Sequence, residues 1–311
     1  MNGENKFTRD SKFSFKDYVT FFCVNKGTSN QANLEDFIED DFTNNLNPIT
    51  RQALSKQRVF INPIVFKEVS KEYLRLIGYN RNNHFFLRNT GVFVCMVVMD
   101  RILKFLILKK FEEILESKTH QNIENPAMAK FSSIMDLLNG FILDGIIGDY
   151  KQAELPLMHQ NLDNIQDLII PEKSIFIFDR GYNAMELYAH IISLNSYFIV
   201  RLKDKSYIEE RYKIKENDSE IKIKLTKDRL KKFHNPLLKE KYSKEKHLNL
   251  RILTIELDNG KIETLLTNIL DKNFKIEDFK ELYNLRWGIE TNYNTMKNRL
   301  NIENYSGKKK E

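Results

Sequence analysis

Apolar residues recur at helical spacing through the first eighty positions. Phe15, Val19, Phe22 and Cys23 fall on one helical face, and Phe66, Val69, Tyr73 and Leu76 on another. Between them Asn47-Pro48-Ile49-Thr50 leads into Arg51–Arg58, a short predicted helix that Thr50 caps. Near Asn89 the pattern changes. Val92 to Met99 is a continuous apolar run, as expected of a buried strand. Phe131 to Leu138 and Phe141 to Ile147 flank Asn139-Gly140, and Asn-Gly between apolar runs predicts a hairpin. Leu155 to Leu168 predicts a helix, and Ser174 to Phe178 a short buried strand ending at Asp179. Ala184 to Ile192 predicts a helix and Tyr197 to Leu202 a further strand.

The order is strand, two-strand hairpin, helix, strand, helix, strand. It is the order of a ribonuclease H-like sheet, and other α/β folds share it. Lys203 to Leu248 is rich in Lys and Glu, with one alternation at Ile221-Lys222-Ile223-Lys224-Leu225. Leu250 to Leu257 and Ile262 to Leu266 flank Asp258-Asn259-Gly260, a second hairpin. The chain therefore divides into a helical N-terminal region (1–88), the first part of an α/β core (89–202), a β-rich insertion (203–270) and a C-terminal core helix (271–311).

That last helix, Phe279 to Leu300, combines two stripes. With Tyr283 at zero and about 100° per residue, Arg286 falls at about 300°, Glu290 at about 340° and Lys297 at about 320°. Leu282, Leu285, Ile289, Met296 and Leu300 fall between about 200° and 260°, the core stripe. The polar stripe thus borders the buried face, whereas a solvated helix puts its charges opposite. A carboxylate flanked by two cations at the edge of a core suits a divalent ion with phosphates beside it, the parts of phosphoryl transfer.

Composition narrows the partners. The 311 residues carry 49 Lys+Arg against 43 Asp+Glu, a net charge of +6. That balance permits a nucleic-acid partner without diagnosing one. Arg51, Lys56 and Arg58 make their helix basic, which fits a solvated face and a DNA-contacting helix equally. Two cysteines, Cys23 and Cys95, exclude a disulfide framework and a thiolate zinc cluster. The polar start lacks a signal peptide and no apolar run is long enough to span a bilayer, so a cytoplasmic protein without a membrane partner is expected. The six histidines show no zinc spacing, and no GxSxG elbow, Walker loop or GxGxxG occurs. Asp136, Asp144 and Asp149 on the first hairpin read as structural, and Trp287 as a packing residue.

Tyr283-x2-Arg286-x3-Glu290-x6-Lys297, within Leu282-Tyr-Asn-Leu-Arg-Trp-Gly-Ile-Glu-Thr-Asn-Tyr293, resembles the signature of bacterial insertion-sequence DDE transposases of the family-four type. Ser174-Ile-Phe-Ile-Phe-Asp179-Arg180-Gly181-Tyr182 resembles that family's Asp-Arg-Gly-Tyr. Pro126 to Ser133 and Asn139 to Tyr150 look like its hairpin, and Phe7-Thr-Arg, Phe13 to Asp17 and Ser55 to Arg58 like its N-terminal domain. The resemblance implies a ribonuclease H-like core and strand cleavage and transfer on mobile-element DNA. Two Asp and one Glu would hold Mg²⁺ (or Mn²⁺). By position these are Asp179, Glu290 and Asp100, with Tyr283, Arg286 and Lys297 on phosphates. The implied partners are double-stranded DNA, at element ends and target, and a second copy of the chain in the DNA complex. A DNA-binding remnant without chemistry and a ribonuclease H-like nuclease are the alternatives.

The resemblance breaks in two places. The family's first Asp is followed by Gly and then Ser or Thr, whereas here the chain reads Met99-Asp100-Arg101-Ile102. Lys104 to Glu116 matches nothing in the family while both flanks do. The second break is the end, where relatives continue past the Asn304-Tyr-Ser-Gly-Lys308 point, so a shortened C-terminus is expected. Codons permitted for Val98 to Glu116 also allow, one base out of frame, Asp-Gly-Ser followed by family-like text. Resequencing the encoding DNA across codons 90 to 120 should reveal that text in another frame. If every frame lacks it, the divergence is real and Asp100 is the first carboxylate.

Overall fold

The computed structural model describes residues 7, 11–24, 29–39, 47–77, 79, 94–105, 127–212, 214, 216–257 and 260–299, the side chains of 94–105, 127, 128, 292, 293, 296, 297 and 299 excepted. The chain resolves into two compact units. One comprises Met1–Ile77, Lys104–Ala127 and Tyr293–Glu311, and the other Gly78–Leu103 and Met128–Asn292.

The first unit holds helices α1 (Phe15–Cys23), α2 (Asn30–Glu39), α3 (Arg51–Arg58) and α4 (Ile64–Leu76). Ser14 and Asp17 close a capping box on α1, and the Thr50 hydroxyl accepts from Ala53 N–H at 3.2 Å to cap α3, as its sequence predicts. Phe13, Tyr18, Phe21, Leu34, Phe37, Leu54 and Ile61 form the core. The predicted faces are partly kept and partly rotated, since Val19 is buried and Phe22 and Phe66 pack against this core. Phe15 is 41% exposed while Tyr18 and Phe21 are buried, and on α4 Leu74 is buried while Val69, Tyr73 and Leu76 lie open. Aromatics fill four of the nine positions of α1, on more than one face, so spacing alone leaves its inward face undecided. Edge-on ring contacts such as Phe21 with Phe37, at 5.5 Å, select it.

The second unit is built on one eight-stranded sheet in the order β3-β2-β1-β4-β5-β8-β7-β6. Its strands are β1 (Val94–Phe105), β2 (Ala127–Asp136), β3 (Phe141–Asp149), β4 (Ser174–Phe178), β5 (Tyr197–Arg201), β6 (Asp218–Lys224), β7 (His247–Glu256) and β8 (Ile262–Thr267). β1, β4 and β5 run parallel, while β2 and β3, and then β5, β8, β7 and β6, pair antiparallel. The strand-hairpin-helix-strand-helix-strand order read from the sequence is present. The strands of 203–270 extend the same sheet from β5.

β4 is buried along its length and β5 at Phe198, Ile199 and Val200. α5 (Glu154–Asn164) packs against β3 with its Leu157, Met158 and Leu162 buried, and α6 (Met185–Ser193) against β5, where the Tyr188 ring stacks on Phe198 at 4.5 Å. The β2–β3 turn is organised by Asp136. Its carboxylate accepts from Leu138 and Asn139 N–H, from the Asn139 amide and from the Tyr79 hydroxyl at 2.7 Å. Gly140 there takes φ +75°, open to glycine without strain. Asp144 accepts from the Asn164 amide, and Asp149 from Lys151 N–H. All three acids therefore serve the hairpin. Between α5 and α6 the rings of His159 and His190 stack, with Nδ1 atoms 2.8 Å apart and Asp163 on the far side of His190. Burial, followed by the charge of His190, lowers the pKa of His159 to about 4.

Next to the edge strand β6, Arg251 on β7 is 1% exposed. Its Nε and Nη2 donate to both oxygens of Asp218 on β6, at 2.6 and 2.5 Å. Nη1 donates to Asp271 C=O and Nη2 to Phe274 C=O, both at 2.8 Å, and the guanidinium lies 5.1 Å from the Phe279 ring. Those last groups belong to α10 (Ile276–Leu285) and the turn leading into it, once α7 (Ile208–Arg211), α8 (Lys227–Lys231) and α9 (Pro236–Ser243) are counted. Truncating Arg251 would take both hydrogen bonds from the Asp218 carboxylate, leaving it Lys272 Nζ at 4.0 Å, and would remove the donor from two carbonyls. Arg251→Ala should therefore cost about 3–5 kcal/mol in urea unfolding, the loss typical of one partner of a buried pair. A loss under about 1 kcal/mol would mean that the network does not bear on the fold.

Candidate active site

Asp179 follows the last residue of β4, where a buried parallel strand opens to the surface. The chain leaves through a 3₁₀ turn, Arg180–Tyr182, that Asp179 precedes without capping it. Its Oδ1 lies 3.0 Å from Nη2 of Arg201, the final residue of β5. The contact is close in charge but off the N–H axis, and Oδ1 is a buried atom without a hydrogen-bond partner among the described residues. Arg201 Nη1 donates to Glu263 Oε1 of β8 at 2.8 Å.

Glu290 stands on α11 (Trp287–Arg299), and the helix carrying the signature is not the unbroken one its sequence suggests. Arg286 separates α10 from α11. Its N–H donates to Tyr283 C=O and its own C=O accepts from Ile289 N–H, three-residue steps in place of four. Each tightened step turns the residues beyond it by roughly 20° against a regular helix. The stripe nevertheless keeps its relation to the core. Leu282, Tyr283 and Ile289 are buried, while Arg286 and Glu290 sit at the margin with side chains 13% and 36% exposed. Arg286 Nη1 is 3.6 Å from Glu290 Oε1, and its Cζ is 5.7 Å from the Tyr283 ring and 4.7 Å from the Trp287 ring. Trp287 is 55% exposed, so it is not the packing residue expected. It carries the guanidinium on one face.

Tyr283 joins the two halves. Burial raises its pKa, the cations of Arg286 and Arg201 pull it down, and Asp179 and Glu263 push it up again. Burial depresses Arg201, and Tyr283, Asp179 and Glu263 more than reverse that, leaving it raised. Asp179, Arg201, Tyr283, Arg286 and Glu290 thus form one electrostatic cluster within the second unit. Tyr283 Oη, Arg201 Nε and Arg286 Nε are all buried and lack a hydrogen-bond partner among the described residues. Buried donors left so cost about 1–3 kcal/mol each, and an incoming ligand with acceptor oxygens recovers that. Arg201 and Glu263 were not singled out from sequence. The one signal was a lone charge ending the apolar run Tyr197-Phe-Ile-Val-Arg201.

The remaining candidates divide. Asp100 lies within β1 and not at its end, because the strand runs on to Phe105. By register Val97 pairs with Ile177, so Asp100 is three positions and Asp179 two positions beyond that pair on neighbouring parallel strands. The side chains of Asp100 and Lys297 are outside the described residues, although Lys297 falls on α11. Arg51, Lys56 and Arg58 are exposed on α3 in the first unit, held by the buried Leu54. Arg51 lines a depression of about 540 Å³ with Gln31, Gln52 and Ser55.

A divalent ion is implied by the resemblance, and the donor set fits one. Carboxylate oxygens are the hard donors Mg²⁺ takes, and the Oδ1 of Asp179 is buried with its lone pairs not hydrogen-bonded. Among the described residues no three acidic, His or Cys side chains gather as a ready-made metal set.

A family model described as a transposase DDE domain matches residues 114–311, from beyond β1 to the end of the chain. No curated protein matches. Among solved structures, the piggyBac transposase synaptic complex with hairpin DNA is 11% identical with a TM-score of 0.41, covering 96% of this chain and 64% of that one. The Mos1 transposase paired-end complex with its left transposon end is also 11% identical, with a TM-score of 0.24, covering 62% of this chain and 59% of that one. This chain thus spans less than two thirds of either, and both are distant likenesses. With Asp179 and Glu290 both inside the matched segment, the chain belongs to the transposase DDE domain family.

Proposed function

We propose that this chain is a DDE transposase of the family-four type, which binds mobile-element ends as double-stranded DNA and cuts and joins strands by metal-dependent phosphoryl transfer. The observation that carries this reading is the single cluster of Asp179, Tyr283, Arg286 and Glu290, with buried donors that no described residue satisfies. The sheet order β3-β2-β1-β4-β5, with β1, β4 and β5 parallel, supports a ribonuclease H-like core. On that reading 203–270 is an insertion that widens the sheet, 271–311 brings the catalytic helix, and 1–88 is a DNA-binding region.

The chain's own groups have distinct tasks. The Tyr283 hydroxyl and Arg286 guanidinium donate to phosphate oxygens, and Lys297 adds a cation along the helix. Arg286 also holds the Glu290 carboxylate at 3.6 Å. Arg51, Lys56 and Arg58 meet the DNA backbone, a contact that weakens steeply as salt rises. Asp179 and Glu290, with Asp100, would hold Mg²⁺ or Mn²⁺, which when bound neutralises developing charge and activates the attacking oxygen. Joining two ends calls for a second copy in the DNA complex. No helix among the described residues is long and apolar enough to cross a membrane. A second reading, a DNA-binding remnant without chemistry, is favoured by Met99-Asp100-Arg101-Ile102, which lacks small residues after the acid.

Asp179→Ala and Glu290→Ala should each lower Mg²⁺-dependent cleavage of element-end DNA by more than about 100-fold while leaving salt-sensitive binding in place. Unchanged cleavage in either variant overturns the site. Binding without cleavage by the parent chain selects the remnant, and cleavage without joining a plain nuclease.

Removing the Tyr283 hydroxyl separates substrate from fold. Tyr283→Phe should keep stability within about 1 kcal/mol, because no internal hydrogen bond is lost, while DNA affinity falls about 3- to 10-fold. A large stability loss with unchanged affinity would assign the hydroxyl to the fold.

A further inference from the structure

Asp179 has little to aim it. It leads a 3₁₀ turn without a side-chain cap, and its carboxylate is 43% exposed. The contact on it is Arg201, and Arg201 is itself fixed from the other side. Glu263, with a side chain only 9% exposed, accepts Arg201 Nη1 at 2.8 Å and is neutralised further by Lys261 Nζ at 2.9 Å. A guanidinium is a rigid planar fork, so fixing one arm fixes where the other points. The backbones reinforce this, because Arg201 pairs with Leu265, two residues along β8 from Glu263, and Leu202 N–H donates to Thr264 C=O at 2.8 Å. A chain of charges therefore runs from Lys261 through Glu263 and Arg201 to Asp179, whose Oδ1 meets Arg201 Nη2 at 3.0 Å as an ion pair.

We propose that Arg201, locked by Glu263, is a positioning residue that aims the Asp179 carboxylate for metal binding, so that strand β8 of the 203–270 segment sets the geometry of the site. This rests on the reading of Asp179 as a metal ligand. Partners that orient a ligating carboxylate typically hold 10- to 100-fold of metal affinity. Substituting Arg by Lys keeps the positive charge beside the metal and removes only the fork, so electrostatics and geometry separate. Glu263→Gln keeps an acceptor of the same shape and removes the charge that fixes Arg201.

The test is Mn²⁺ affinity of the full chain, followed by electron paramagnetic resonance of the free ion, with urea midpoints measured alongside. Asp179→Asn should abolish the tight site. Arg201→Lys and Glu263→Gln should each weaken it by about 10-fold or more, with urea midpoints near that of the parent. If Arg201→Lys lowers the midpoint, Glu263→Gln decides. Parent-like affinity in Glu263→Gln and in any stable Arg201→Lys, with the site lost in Asp179→Asn, overturns the positioning role and leaves the ligand assignment standing. Parent-like affinity in Asp179→Asn overturns that assignment and the positioning role with it.

Discussion

A guanidinium buried one strand in from the sheet's edge governs where the helix pair carrying Tyr283 and Glu290 begins. Arg251 sits on β7, bridges to Asp218 on β6, and donates to the carbonyls of Asp271 and Phe274 just before α10. Carbonyls left without partners at a turn need donors, and Arg251 supplies them here, at a part-buried position for Asp271 and a buried one for Phe274. A buried charge also needs an opposite charge, which Asp218 supplies, and the pull of Arg251 lowers the Asp218 pKa even against burial. One side chain thus meets three demands at once. It fixes the start of α10, and through seven to ten further residues the positions of Tyr283 and Arg286.

The contrast between that network and the site is physical. Around Arg251 the donors find acceptors and both Asp218 oxygens are engaged. Around Tyr283 a hydroxyl, two guanidinium Nε groups and a carboxylate oxygen are buried with no hydrogen-bond partner among the described residues. The same low-polarity surroundings that strengthen a satisfied network penalise an unsatisfied one. A fold tolerates the second only where the first is strong. The anchoring of α10 by Arg251 and the packing of Leu282 and Ile289 hold the helix against that cost.

Much of the sheet was legible because its signals are local. The apolar run ending at Asp179 and the Asn139-Gly140 turn, with Gly140 at positive φ, each follow from a few neighbouring residues. The polar stripe bordering the core on the last helix was legible for the same reason. What escaped depends on partners distant in sequence. Arg201 meets Glu263 across 62 positions, and Arg251 meets Asp218 across 33, so neither pair has a periodicity to betray it. The partly rotated faces of α1 and α4 show the limit of spacing, since several apolar residues compete and tertiary contacts choose. The tightening at Arg286 is also invisible to a helical wheel, which assumes one constant turn angle.

The continuity of the sheet changes what the 203–270 segment means. Read from sequence it is a charged, β-rich interruption between two parts of a core. In the structure β8 pairs with β5, so the segment is hydrogen-bonded to the strand that ends in Arg201. β7 pairs with β8, and its Arg251 holds the approach to α10. Both halves of the candidate site, the Asp179 end of β4 and the Tyr283–Glu290 helix, are therefore tied to the same two strands. A displacement of β7 and β8 would move the two carboxylates together. This couples the segment's own stability to the geometry between Asp179 and Glu290, a coupling that a detached, purely ornamental insertion would lack.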